Sequence, residues 1–157
     1  MRGNPQIIEA LNLILTSELT GINQYFIHAK MCKNWGYDAL AKHNRDESIE
    51  EMKHAERVIE RILFLDGVPN LQRLDPIRVG ENVPEQFQAD LEMELAAVKR
   101  YNEAIALCSS VGDHGTRELL EHILTDEEES VDWHETQLAL IKELGKESYL
   151  AEKMSGS

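Results

Sequence analysis

The sequence predicts an all-α protein: a four-helix bundle whose two hairpins are joined by one long crossover, with a short fifth helix near the C-terminal end. Three observations carry that expectation. Apolar residues recur at alternating spacings of three and four, the signature of one helical face. Those stripes fall into four long segments, split into two pairs by a single proline-rich stretch. The 157 residues suit a single domain over residues 1–157, since one core typically serves about 100 to 200 residues.

The first helix opens at Asn4-Pro5, because Asn caps free backbone N–H groups and Pro fits the first helical position. It runs to about Asn34, with Leu11, Ile14, Glu18, Ile22, Tyr25 and Ala29 on one face. After Trp35-Gly36 the second helix extends to about Leu65, and its stripe is Leu40, Glu47, Glu51, His54, Val58 and Leu65. From Asp66 to Pro84 the chain holds three prolines and the turn-forming Gly67, Asn70 and Gly80, which marks a long crossover. The third helix carries Phe87, Leu91, Glu94, Val98, Tyr101, Ile105 and Cys108. Gly112-Asp113-His114-Gly115 turns the chain into the fourth, with Leu120, Ile123, Glu127, Ser130, His134, Leu138 and Ile141. Gly145 caps its end, Lys146 to Lys153 forms the short fifth helix, and Ser155-Gly156-Ser157 frays.

Charge narrows the function. Acidic residues number 29 against 16 basic ones, a net charge of -13, which argues against nucleic-acid backbones and anionic membranes and in favour of cations. Cys32 and Cys108 are the only cysteines, too far apart for a zinc ribbon or a Cys-x-x-Cys redox pair. No apolar signal-type core follows Met1, and charged or polar residues break every apolar stretch, so a cytoplasmic protein is expected.

Each long helix places at least one glutamate on its apolar stripe. Burying an unpaired carboxylate costs several kcal/mol unless a partner or a metal neutralises it. Glu18 precedes the first turn by about 17 residues and Glu51 follows it by about 15, so an antiparallel hairpin with ~1.5 Å rise per residue brings the two level. Glu94 and Glu127 meet likewise across the second turn. The halves also repeat: Glu18 precedes Glu51-Met-Lys-His54 by 33 residues, and Glu94 precedes Glu127-Glu-Glu-Ser130 by 33. Glu on two helices with Glu-x-x-His on the others is the ligand set of di-iron carboxylate bundles, and the oxygen-rich donor set suits iron or manganese better than zinc or copper. Tyr25 is placed to bond a ligand carboxylate or pass an electron, and equally fits plain core.

The segments Glu18 to Phe26 (ELTGINQYF), Asp46 to Leu65 (DESIEEMKHAERVIERILFL), Pro69-Asn70-Leu71-Gln72 and Asp126 to Leu138 resemble bacterioferritin, through nearly the whole chain. The resemblance implies a ferritin-like bundle in a hollow cage of about 24 subunits. It implies Fe(II) oxidation at an intra-subunit di-iron site, with storage of a ferric mineral inside. Glu18, Glu51, His54, Glu94 and Glu127 match five of the family's six ligands, Glu51 and Glu127 as metal bridges. The sixth, a histidine, is Ser130 here. The family also binds haem b between two subunits through one methionine of each, and Met52 stands at that position, with Ile49, Ile59 and Leu63 near it on the outward stripe. Asn34, Asp66 and Asp132 resemble pore-lining positions, and Asp46 and Glu50 resemble iron sites on the inner surface.

Three functions compete on this basis: an active ferroxidase and storage subunit, a haem-carrying storage subunit that relies on complete partner subunits in a mixed cage, and a free di-iron oxygenase or peroxidase. Ser130 separates the first two; Met52 and the lack of a second redox motif oppose the third. A ferredoxin-like protein is the expected reductant for iron release. One tight and one weak iron position are expected. His134, a water on Ser130, or Glu128 or Glu129 remain as ways to fill the gap at position 130.

Overall fold

A computed structural model describes residues 1–155. Its elements are α1 (Pro5–Trp35), α2 (Asp38–Phe64), α3 (Val83–Val111), α4 (His114–Leu144) and α5 (Lys146–Ala151), and no strand occurs among the described residues. The all-α bundle with its crossover and fifth helix is therefore as the sequence predicts. The fraying expected of Ser155-Gly156-Ser157 falls, at 156–157, outside the described residues.

Local chemistry sets the helix ends. The Asn4 side chain accepts the Gln6 N–H at 2.8 Å, Asn82 accepts the Glu85 N–H at 3.0 Å and Asp113 accepts the Thr116 N–H at 3.0 Å. Each satisfies a backbone donor that the first helical turn leaves free. Gly36 and Gly112 close α1 and α3 at φ of 86° and 77°, in the left-handed region where only glycine is unstrained. The two-residue turns that follow make α1–α2 and α3–α4 antiparallel hairpins, and α1 also lies along α3.

The crossover, residues 65–82, is held by a polar ladder on α1. The Asn70 N–H donates to Asn12 Oδ1, the Asp75 N–H to Thr20 Oγ1, the Arg78 N–H to Gln24 Oε1 and the Gly80 N–H to His28 Nε2, all within 3.1 Å. Arg73 Nε donates to Thr16 at 2.9 Å. Residues 12, 16, 20, 24 and 28 recur every four positions, so one helical face supplies every partner. Arg100 of α3 adds a two-pronged ion pair to Asp75, at 2.7 and 3.1 Å.

Two apolar clusters fill the bundle. One joins Leu11, Ile14, Val58, Ile62, Leu120 and Ile123; the other joins Cys32, Leu40, Val83, Phe87, Tyr149 and Leu150. In all four long helices the glutamates at 18, 51, 94 and 127 fall between them in sequence, and all four are 0–4% exposed. At one end of the bundle α5 packs on Phe87 through Tyr149, whose hydroxyl donates to buried Gln137 at 2.6 Å.

Candidate metal centre

One ligand atom from each of Glu18, Glu51, His54 and Glu127 lies within 4.8 Å of the others, and all four residues are buried. His54 is the hub. Its Nδ1 is 3.5 Å from Glu18, 3.8 Å from Glu51 and 3.3 Å from Glu127. Its Nε2 donates to Asp126 at 3.0 Å, which fixes the ring and leaves Nδ1 turned to the carboxylates. Glu94 is outside this group but beside Glu127: it takes a hydrogen bond from the Tyr25 hydroxyl at 2.9 Å and interacts with Glu127. The structure thus gathers four of the five ligands read from sequence into one cluster and sets the fifth beside it.

Local sequence makes the cluster possible. Glu51 and His54 are three apart on α2 and share a face. Gly21 of α1 faces them, and a Cβ there would come within 2.8 Å of Glu51 Oε2. Only glycine admits the carboxylate at that distance. Tyr101 of α3 donates its hydroxyl to Glu18 at 2.5 Å, orienting one oxygen and leaving the other free.

The electrostatics are those of a cation site. Burial, then repulsion from Glu127, Glu18 and Glu94, pushes the Glu51 carboxyl well above its usual range. Burial and neighbouring charge do the same to Glu94 and Glu127. Burial opposes ionisation of Glu18 too, but the close approach of Glu51 and of His54 outweighs it and holds that carboxyl low. Burial works against a charged His54, yet Glu18 and Asp126 raise the imidazole to about 9. Glu18 Oε2, Glu94 Oε2, both Glu127 oxygens and His54 Nδ1 have no hydrogen-bond partner. Buried polar atoms are rarely left so, and five converging on one space mark a place for positive charge. Four carboxylates with one imidazole fit iron or manganese.

At position 130 the serine hydroxyl does not reach into the cluster as a histidine ring would. It donates to Glu47 Oε2 at 3.3 Å and lies 3.4 Å from the Tyr25 hydroxyl. His134 is turned away: Nδ1 donates to the Ser130 carbonyl at 2.8 Å, and Nε2 is 3.8 Å from Asp90. Glu128 and Glu129 are exposed. A cavity of about 270 Å³ runs beside Glu51, His54 and Ser130 and is also lined by His43, Glu47 and Trp133. Burial lifts the Glu47 carboxyl to about 7.

Other residues singled out in the sequence lie on the surface. Met52 is 49% exposed on α2, and Ile49 and Leu63 of its stripe are also exposed, whereas Ile59 packs partly on the core. Asn34, Asp66 and Asp132 are exposed, and Asp66 pairs with the N-terminal ammonium at 3.6 Å. Asp46 pairs with Lys42; Glu50 pairs with Lys53 and, with His54 and Asp126, forms a second group of possible ligands outside the first. Tyr25 serves as a carboxylate partner. Sequence reasoning left Tyr101 as core and Gly21 unremarked, and gave Glu47 no role.

Comparison with known proteins agrees with this geometry. Residues 8–144 match the ferritin-like domain. The chain is 50% identical over 155 residues to a bacterioferritin of Mycolicibacterium paratuberculosis, covering 99% of this chain and 98% of the relative. A bacterioferritin of Streptomyces coelicolor is 50% identical over 151 residues, 96% and 90% of the two chains. One of Brucella melitensis is 46% identical over 149 residues, 95% and 92%.

Proposed function

The chain belongs to the bacterioferritins of the ferritin-like family, and from that premise we propose that it stores iron, binding Fe(II) in the bundle core and oxidising it with dioxygen. The observation that carries this reading is the set of five unpartnered buried ligand atoms converging from four helices. Bound Fe(II), the substrate, supplies one electron per ion to dioxygen. The residues do the rest. Glu51 and Glu127 would be the carboxylates that two ions share, and His54, fixed by Asp126, would offer Nδ1 to one of them. Tyr101 and Tyr25 each hold one oxygen of a terminal carboxylate, Glu18 and Glu94, leaving the second oxygen to bind. Protons that Glu51, Glu94 and Glu127 hold in a cluster of repelling acids are displaced when positive charge arrives. Fe(II) reaches the cluster past Glu50 and Asp126, which extend the donor set outward from His54.

On this reading residues 1–157 form a single ferritin-like subunit of a cytoplasmic cage of about 24 copies, closed by point-group symmetry around a ferric mineral. No described helix is long and apolar enough to cross a membrane. The exposed Met52 thioether on an apolar stripe suits a two-fold interface where two copies ligate one haem b. A ferredoxin-like protein would reduce that haem for iron release. Ser130 supports a second reading, in which this subunit works in a mixed cage beside subunits with the full ligand set. Size-exclusion chromatography with light scattering, followed by iron analysis, tests the proposal. It predicts a cage that takes up many more iron atoms than its core sites hold; a stable monomer or dimer that retains at most a site's worth of iron would refute it.

A further inference from the structure

The residue that departs from the internal repeat, Ser130, is bridged to the opposite hairpin by a side chain that the repeat does not include. Glu47 lies one turn before Glu51 on α2 and reaches across to α4, where its Oε2 accepts the Ser130 hydroxyl at 3.3 Å. The same hydroxyl is 3.4 Å from Tyr25, and Tyr25 donates to Glu94 at 2.9 Å. Glu94, Tyr25, Ser130 and Glu47 therefore form a continuous chain of contacts beside the centre. Glu127 Oε2 and Glu94 Oε2 have no hydrogen-bond partner, whereas Glu127 Oε1 faces His54 at 3.3 Å. Behind Glu47 stands His43, whose Nε2 is 3.9 Å from Glu47 Oε1 and has no hydrogen-bond partner. Its ring is fixed by stacking on Trp133 at 3.5 Å between centroids. A serine in place of a ring leaves room, and the cavity of about 270 Å³ occupies it with Glu47 on its lining.

We propose that Glu47 replaces the imidazole absent at position 130, serving with Glu51, Glu94 and Glu127 as the ligand set of the second metal position. Ser130 and His43 position it. This rests on the metal-centre reading above and adds to it a chemical asymmetry. The first position has an imidazole, while the second is all oxygen. Carboxylate-only sites favour hard divalent cations such as Mn(II) and Fe(II) over zinc and copper. The i, i+4 spacing of Glu47 and Glu51 also lets one helix face hold two ligands of the same ion, as Glu51 and His54 do on the other side. Glu47 and Ser130 line one cavity beside Glu51 and His54, so Glu47 would turn toward the centre through the space that a histidine at 130 would take.

The test uses the assembled protein, stripped by chelation and titrated anaerobically with Mn(II) alone, with ions bound per subunit counted and followed by electron paramagnetic resonance. The wild type should bind an adjacent pair, seen as an exchange-coupled signal. Glu47→Gln keeps the volume and removes the anionic ligand; it should weaken the second ion about a hundredfold, the upper end of the loss seen when groups supporting a metal are removed. The uncoupled spectrum of a single Mn(II) should then remain. Adding Ser130→His to Glu47→Gln should restore the pair. A coupled pair that persists in both Glu47→Gln and Glu47→Ala overturns the proposal, as does a wild type that binds one ion with an affinity Glu47→Gln leaves unchanged. Glu51→Ala separates the two levels: it should abolish the pair, and a pair that survives it refutes the metal centre itself and this assignment with it.

Discussion

Replacing Glu127 with glutamine fixes a neutral group where the cluster already pushes the carboxyl above its usual range, while preserving shape. Glu127 is 1% exposed, neither of its oxygens has a hydrogen-bond partner, and its carboxyl is pushed up first by burial and then by Glu18. Leaving a buried acceptor unsatisfied costs about 1–3 kcal/mol, and a neutral amide relieves part of it by donating to the free oxygens of Glu18 or Glu94. The contact with His54, 3.3 Å away, is weakened in exchange, but Glu18 and Asp126 still hold that ring. The net gain for the metal-stripped protein is about 1 kcal/mol, which for a chain of this size raises Tm by roughly 2–4 °C. The same change deletes a ligand shared by both metal positions, so the rise in Tm on adding Mn(II) should shrink sharply. Thermal unfolding of wild type and Glu127→Gln, each with chelator and with Mn(II), reads both effects. A Glu127→Gln protein that is less stable than wild type under chelation, or stabilised by metal as much as wild type, would refute the account of Glu127 as a frustrated ligand.

Gly21→Ala should leave the bundle folded but displace Glu51, because the added Cβ falls 2.8 Å from Oε2; Mn(II) affinity measured by calorimetry should drop about tenfold or more, a loss typical of disturbing a ligand's support. The stability of the metal-stripped protein should fall as pH rises from about 6.5 to 9. His54 is raised to about 9, so its contribution is complete below its unfolded value of 6.5 and is lost as pH climbs through 9. Glu51, Glu94 and Glu127, also raised, act in the same direction, and flat or rising stability across that window by chemical denaturation would contradict the assigned charges. Met52→Leu keeps the apolar volume and removes the thioether; protein expressed with haem supplied should lose the haem absorbance that the wild type retains, and undiminished absorbance would rule out Met52 as the ligand.

The centre was legible in sequence because buried glutamates contradict the apolar stripes that carry them, and because two hairpins repeat the contradiction at one spacing. Helix ends followed from Asn, Asp, Pro and Gly at capping positions. What escaped depends on partners remote in sequence. Nothing local singles out Asn12, Thr16, Thr20, Gln24 and His28, yet the crossover backbone lies on them, and Thr16, Thr20, Gln24 and His28 are buried. Their repeat every four residues beside a long loop was the available signal. Tyr101 disappeared into an apolar stripe, since nothing local shows that its hydroxyl meets Glu18. Glu47 stood on the ligand face of α2 but had no counterpart in the repeat, and only the distance to Ser130 gives it one. Asp90, on no stripe of α3, proves fully buried between His28 and Gln24, because the Gly80 N–H fixes the His28 tautomer that donates to it.

Oxidation of Fe(II) by the purified, iron-stripped protein in air, followed by the rise of ferric absorbance as Fe(II) is added in steps, tests the central claim most directly. A fast phase is expected that saturates in proportion to subunit concentration, disappears in Glu51→Ala, and gives way to slower uptake as the mineral grows. Oxidation no faster than in buffer, or a fast phase undiminished in Glu51→Ala, would contradict it.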